Sequence, residues 1–231
     1  MILSEPCTET LLMSADEEEN ESRGDIAFEW LLFGNSALPS EPMLRRAWDI
    51  ASGMGLEHDR VPFVIRDFCP LYSKVQISLS QSRWINNGRF PCSLWFPVPL
   101  RIQRRKKTIL APNFADLVEA VFFRLTPLVT IATGGECPQD LKSVWPHFAA
   151  DAIAIANQTP QLPWNGERIV HQRYSARQQS EVTQDGVIGH LILPNGPGAL
   201  WPLMAAASVL HIGKGATFGF GRLVPTPIDL D

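Results

Sequence analysis

Apolar and polar positions along the first third of the chain alternate between short extended runs and solvated connections. Thr8 to Met13 and Ile26 to Phe33 are apolar runs flanking the acidic segment Asp16 to Glu21, and they predict two strands joined by a polar loop. After Gly34, Pro39 and Pro42, the composition of Met43 to Ala51 predicts a helix that ends at Gly53, since helices commonly begin near a proline and stop at a glycine. Val61 to Phe68 predicts a third strand, giving the order β-β-α-β.

The second part opens with Cys92 to Ile102, an extended run interrupted by prolines, followed by Asn113 as N-cap of a helix over Phe114 to Val129. The apolar positions Leu117, Val118, Val121, Phe122, Leu125 and Leu128 recur at three-and-four spacing, which leaves Asp116, Glu119 and Arg124 for the other faces. Residues 134–162 carry little periodicity beyond a short helix around Phe148 to Ala156. Arg168 to Arg177 and Val187 to Leu193 predict strands separated by a polar turn, Ala199 to Leu210 a helix, and Phe218 to Val224 a last strand. The order β-α-β-β-α-β is that of the ferredoxin-like unit also used by RNA-recognition domains. The expected class is therefore α+β, with two ferredoxin-like domains in tandem: residues 1–82, read as a unit lacking its opening strand and helix, and residues 83–231, a complete one.

Charge sharpens the division. The net charge is −4 over 231 residues, which speaks against a nucleic-acid binder until it is divided along the chain. Residues 1–82 hold 6 Lys and Arg against 14 Asp and Glu, whereas residues 83–231 hold 14 against 10. Screening over roughly 8 Å at physiological salt lets a local basic surface operate on an acidic protein. The four cysteines, Cys7, Cys69, Cys92 and Cys137, lack paired spacing, so neither a zinc site nor a disulfide framework is expected and a reducing cytoplasm fits. No run of about 18 apolar residues points to a membrane span.

The segment HIGKGATFGFGR, His211 to Arg222, places Gly213, Gly215, Gly219 and Gly221 between a helix and a strand. Glycines of this density permit positive φ and close backbone approach, so the loop is expected to offer N–H groups to phosphate oxygens while Lys214 and Arg222 supply charge. A dinucleotide fingerprint is disfavoured, because that motif follows a strand and opens a helix. Arg101, Arg104, Arg105, Lys106 and Lys107 form the densest basic cluster, suited to phosphate contacts.

This loop resembles the C-terminal signature of the Cas-six endoribonucleases of CRISPR systems. FEWLLFGNSA at Phe28 to Ala37, GMGLEHDRVPFVI at Gly53 to Ile65, PLRIQRR at Pro99 to Arg105, the helix ending FFRLTPL, RYSARQQ at Arg173 to Gln179 and GVIGHL at Gly186 to Leu191 resemble further family blocks in family order. The resemblance spans roughly residues 26–225. It departs in one respect: family members carry an additional N-terminal segment, for which this chain is too short, and in many relatives the catalytic histidine lies there.

The resemblance implies cleavage of repeat RNA without metal or cofactor, the 2′-hydroxyl attacking the adjacent phosphate to leave a 2′,3′-cyclic phosphate. His211 and Lys214 are the expected proton-transfer and charge-stabilising pair, with Tyr174 orienting the hydroxyl or stacking a base. The expected RNA contacts are Arg101, Arg104, Arg105, Lys106, Lys107, His171, Arg173, Arg177, Arg222 and the loop glycines Gly213, Gly215, Gly219 and Gly221. Strand alternation puts His171, Arg173 and Arg177 on one face and Tyr174 on the other. His190 reads as a hydrogen-bonded structural histidine, and His58 and His147 have no supporting pattern. Trp84, Trp95, Trp145, Trp164 and Trp201 follow no spacing and are expected mostly in the core. The implied partners are the stem-loop of the CRISPR repeat RNA and other effector-complex subunits; a non-catalytic RNA-binding subunit and a protein scaffold are the competing readings.

Overall fold

In the computed structural model, which describes residues 7–14, 26–32, 41–55, 60–72, 88–132, 139–175 and 180–229, the acidic N-terminal part forms an antiparallel sheet of three strands. These are β1 (Cys7–Ser14), β2 (Ile26–Leu32) and β3 (Val64–Tyr72), with α1 (Glu41–Met54) between the last two. The helix continues through Gly53 and stops at Gly55, whose φ is +77° and whose N–H is donated to the carbonyl of Ala51. Trp48 on this helix meets Phe63, just ahead of β3, edge to face at 6.1 Å.

The remaining described residues, 88–132, 139–175 and 180–229, belong to a second unit. It contains β4 (Cys92–Leu100), a small hairpin of β5 (Gln103–Arg104) and β6 (Lys107–Thr108), α2 (Phe114–Ala132), α3 (Gln139–Gln158), β7 (Asn165–Ser175), β8 (Ser180–Leu193), α4 (Trp201–Leu210) and β9 (Val224–Pro227). The main sheet runs β7-β8-β4-β9, all antiparallel. Opening strand β4 thus lies between the third strand and the last, as in the ferredoxin-like arrangement. Alternate residues of β4, Cys92, Leu94 and Phe96, are buried, as are Leu191 and Leu193 on β8, Leu117, Val118, Val121 and Leu125 on α2, and Met204, Ala207 and Leu210 on α4. Period two on the strands and period 3.6 on the helices converge on this one core.

Strand pairing corrects the expected composition of the first unit. Strand β1 is central, bonded to β2 on one side and β3 on the other, the same relation that β4 has to β8 and β9. An opening strand is therefore present. Among the described residues, no helix or strand lies between β1 and β2.

Four further expectations change. Residues 139–158 form a continuous helix of 20 residues rather than a short one; Pro146, near its start, and the glycines before it broke the periodicity. The last strand begins at Val224, because residues 216–218 make a 3-10 turn and the glycines flanking them adopt positive φ. Strand β8 begins at Ser180, so the β7–β8 connection is shorter than the polar turn expected up to Gly186. Asp116 is buried at the start of α2 instead of solvated: its N–H is donated to Asn113 Oδ1 at 2.9 Å while its own Oδ2 accepts from the Asn113 N–H at 3.0 Å. This reciprocal capping box confirms Asn113 as N-cap.

Candidate functional site

The glycine-rich segment is folded against the end of β4. Ile212 donates its N–H to the Gly221 carbonyl at 3.0 Å, Lys214 to Arg101 at 2.8 Å and Gly221 to Pro99 at 2.9 Å. Phe218 and Phe220 both donate to the carbonyl of Gly215, and Gly219 donates to that of Ala216. All four glycines have φ between +68° and +84°. At Gly221 the requirement is twofold, since a Cβ there would overlap the Ile212 carbonyl. Six amides of the loop are thus committed to the protein's own carbonyls, which corrects the expectation that the loop as a whole offers its N–H groups to phosphate. Its main structural effect is to fix Lys214 beside the β5–β6 hairpin.

That hairpin carries the basic cluster. Its two-residue turn is Arg105–Lys106, with φ of +50° and +65°, a type I′ conformation normally taken by Asn-Gly. Two long cationic side chains in left-handed backbone carry local strain, of order 1 kcal/mol or more each. The hairpin is anchored by carboxylates. Arg104 pairs with Asp116. Thr108 donates to Asp185 Oδ1 at 2.7 Å, while Arg168 lies 3.1 Å from Oδ2 and Arg101 3.8 Å from Oδ1. The hydrogen bond from Thr108, with Arg168 behind it, holds the Asp185 carboxyl below its ordinary titration range.

Between hairpin, glycine loop and α2 lies a cleft of about 520 Å³, lined by Arg101, Arg104, Arg105, Arg124 and Lys214 together with Glu119 and Phe123. Lys214 Nζ donates to Gln103 Oε1 at 2.7 Å, which carries its charge to the hairpin side. Five cations and one carboxylate line this cleft, and two of the cations, Arg104 and Arg101, are also held by Asp116 and Asp185.

His211 follows α4 with φ +55° and is half-buried. Burial first, then Arg222 and Arg124, push its pKa below the usual histidine value, opposed by a hydrogen bond to the backbone of Gly219. The neutral imidazole is therefore the dominant form at neutral pH. Lys214 and His211 share the loop but hold separate partners.

Of the other expected residues, His171, Arg173 and Tyr174 sit on β7, paired in register with Gln184, Val182 and Glu181; Arg177 and His58 lie outside the described residues. Lys106 and Lys107 are exposed on the hairpin, and Arg222 is exposed after the glycine loop. His190 accepts from Asn165 Nδ2 at 3.2 Å, as its alternation with apolar neighbours suggested, and His147 is exposed on α3. Trp145 packs on Phe122 and Phe148 and bonds Thr126, whereas Trp95 is half exposed. Burial of Cys92 pushes its thiol up to about 12, so it is inert. Three participants escaped the reading of the sequence: Arg124 and Phe123, whose helix shows only its core stripe in the apolar pattern, and Asp185, which is 77 residues from Thr108.

An antiparallel sheet backed by helices, with a cation-lined cleft beside a glycine loop, defines a mixed α and β protein. Residues 94–223 match the family described as CRISPR-associated endoribonuclease Cas6. The chain belongs to that family. Among solved structures it is similar to Cas6 of Thermus thermophilus, at 10% identity, a TM-score of 0.52, and coverage of 96% of this chain and 99% of that one. A Cas6 product complex gives 14%, 0.52, 94% and 82%. A partial Cas6-RT-Cas1–Cas2 complex gives 12% and 0.55, covering all of this chain and 49% of that one. At these identities the likeness is one of fold. Comparison with curated proteins gave no match.

Proposed function

We propose that this chain binds CRISPR repeat RNA through the cation-lined cleft and cuts the precursor transcript to crRNA by metal-independent endonucleolysis. It then stays on the 3′ hairpin of its product as a subunit of an effector complex. The observation that carries this reading is the convergence of Arg101, Arg104, Arg105, Arg124 and Lys214 on one cleft beside the family's glycine loop, in a chain of Cas6 membership. Cas6 proteins of the same fold captured with a substrate mimic and with a product support it, and the Cas6-RT-Cas1–Cas2 assembly supports association with other CRISPR proteins. The tandem ferredoxin-like arrangement belongs to the same reading, with the first unit shortened by one helix and one strand.

In the proposed reaction the 2′-hydroxyl attacks the adjacent phosphorus, the phosphorus–5′-oxygen bond breaks and the 5′-oxygen leaves as a hydroxyl after taking a proton from water, giving a 2′,3′-cyclic phosphate. His211, held neutral, takes the hydroxyl proton as general base, and Lys214 offsets the charge of the phosphorane. Tyr174 orients the nucleotide. Lys106, Lys107, His171, Arg173, Arg177 and Arg222 extend the phosphate-binding surface. One observation favours a second reading, a non-catalytic RNA-holding subunit: among the described residues the first unit has no helix between β1 and β2, and many relatives draw their catalytic histidine from the N-terminal region.

Incubation with repeat RNA in EDTA, beside the same RNA carrying a 2′-deoxy substitution at the cut site, decides between them. Cleavage of the first alone, abolished in His211→Ala with binding retained, establishes the nuclease. Tight binding without cleavage establishes the holding subunit.

A further inference from the structure

The first three turns of helix α2 bury their large apolar residues, with Phe123 set apart. Phe114, Leu117, Val118, Val121 and Leu125 are at most 3% exposed, whereas Phe123 is 74% exposed. Burying such a ring would stabilise the fold, and this position forgoes that stabilisation. Phe123 falls on the stripe Glu119, Phe123, Pro127, spaced four apart, that forms one wall of the cleft. Pro127 has no N–H, so the carbonyl of Phe123, four residues earlier, is left without its helical donor. The α2 wall therefore offers an aromatic face, a backbone acceptor and the Glu119 carboxylate with Arg124 beside them, and the other wall offers Arg105 and Lys214. A phosphate is drawn to these three cations and away from Glu119.

A planar apolar group with hydrogen-bonding edges, joined to an anion, fits this division. The volume of about 520 Å³ lies within the roughly 300–1,000 Å³ of small-ligand sites, and aromatic stacking of splayed-out bases is the general mode of reading single-stranded RNA.

We propose that Phe123 is a stacking platform for one unpaired nucleotide of the bound RNA, with that nucleotide's phosphate held by Arg105, Arg124 and Lys214. This rests on the RNA-binding reading above and adds that the cleft takes a single-stranded residue beside the hairpin rather than the duplex itself.

The test is equilibrium binding of the full chain to two RNAs, the repeat hairpin with its single-stranded flanks and a blunt hairpin without them, across a potassium chloride series. Wild type, Phe123→Ala, Phe123→Trp and Lys214→Ala are compared. Phe123→Ala is expected to weaken the flanked RNA roughly tenfold with its salt slope unchanged and the blunt hairpin less than about twofold, and Phe123→Trp to restore affinity. Lys214→Ala is expected to reduce the slope. Equal weakening of both RNAs by Phe123→Ala, or none, overturns the platform while salt-dependent binding by wild type leaves the RNA-binding reading standing. Loss of a protein partner from Phe123→Ala with RNA affinity intact also overturns it, assigning the ring to a protein contact. Absence of salt-dependent binding by wild type overturns both.

Discussion

The Nε of Arg124 donates to the carbonyl of Leu210 at 3.1 Å, tying the cleft wall on α2 to the last turn of α4, from which His211 follows. Because Arg124 also helps to depress the His211 pKa, Arg124→Gln is expected to raise the His211 titration midpoint toward the ordinary value near 6.5. It should also weaken RNA binding several-fold. Histidine titration by NMR checks the first effect, and an unmoved midpoint contradicts the contact.

His211 also links stability to pH. Its folded-state pKa lies below the unfolded one, so as pH falls below about 6.5 the unfolded state takes up a proton that the native state resists, and stability falls. His211→Gln is expected to flatten denaturation midpoints between pH 7 and 5. Asp185 acts lower: its depressed pKa contributes stability above the unfolded value, lost as pH falls from about 4 through the folded pKa. Asp185→Asn should remove that acid-limb component and loosen the hairpin that Thr108 and Arg168 anchor.

The glycine loop separates conformational strain from collision. Gly219 and Gly221 both have positive φ, but a Cβ at Gly219 meets nothing within 4 Å, whereas at Gly221 it overlaps the backbone of Ile212. Gly219→Ala is expected to cost about 1 kcal/mol, and Gly221→Ala several times as much, measured by chemical denaturation. Equal costs contradict the described loop.

Replacing the Arg105–Lys106 turn with Asn-Gly is expected to stabilise the protein by a few tenths to 1 kcal/mol, because that pair takes both positive φ angles readily. The same change should weaken RNA binding at 0.15 M salt. Stabilisation with unchanged affinity would remove the hairpin tip from the interface.

Much of this architecture was legible because periodicity reports burial. The α2 core stripe, the Asn113 cap and strands β1, β2 and β4 follow directly from spacing and capping chemistry. What periodicity does not report is the role of the face turned away from the core, so the pattern assigns Arg124 only to a non-core face and does not single out Phe123, although both line the cleft. Long-range anchoring is equally silent in the sequence: the Asp116–Arg104 and Asp185–Thr108 contacts exist only once the hairpin is folded back on α2 and β8. The glycine loop was readable as glycine-requiring, but Gly221 and its neighbours serve a backbone network internal to the protein rather than an open array of donors.

The most direct test of the cleft as the RNA interface is the salt dependence of repeat-hairpin affinity for wild type and for Arg105→Ala/Lys214→Ala. Loss of two phosphate contacts is expected to make the slope of log K against log salt shallower by roughly 1.4–1.8, with folding unchanged because both side chains are peripheral to the core. An unchanged slope and affinity would place the RNA elsewhere on the protein.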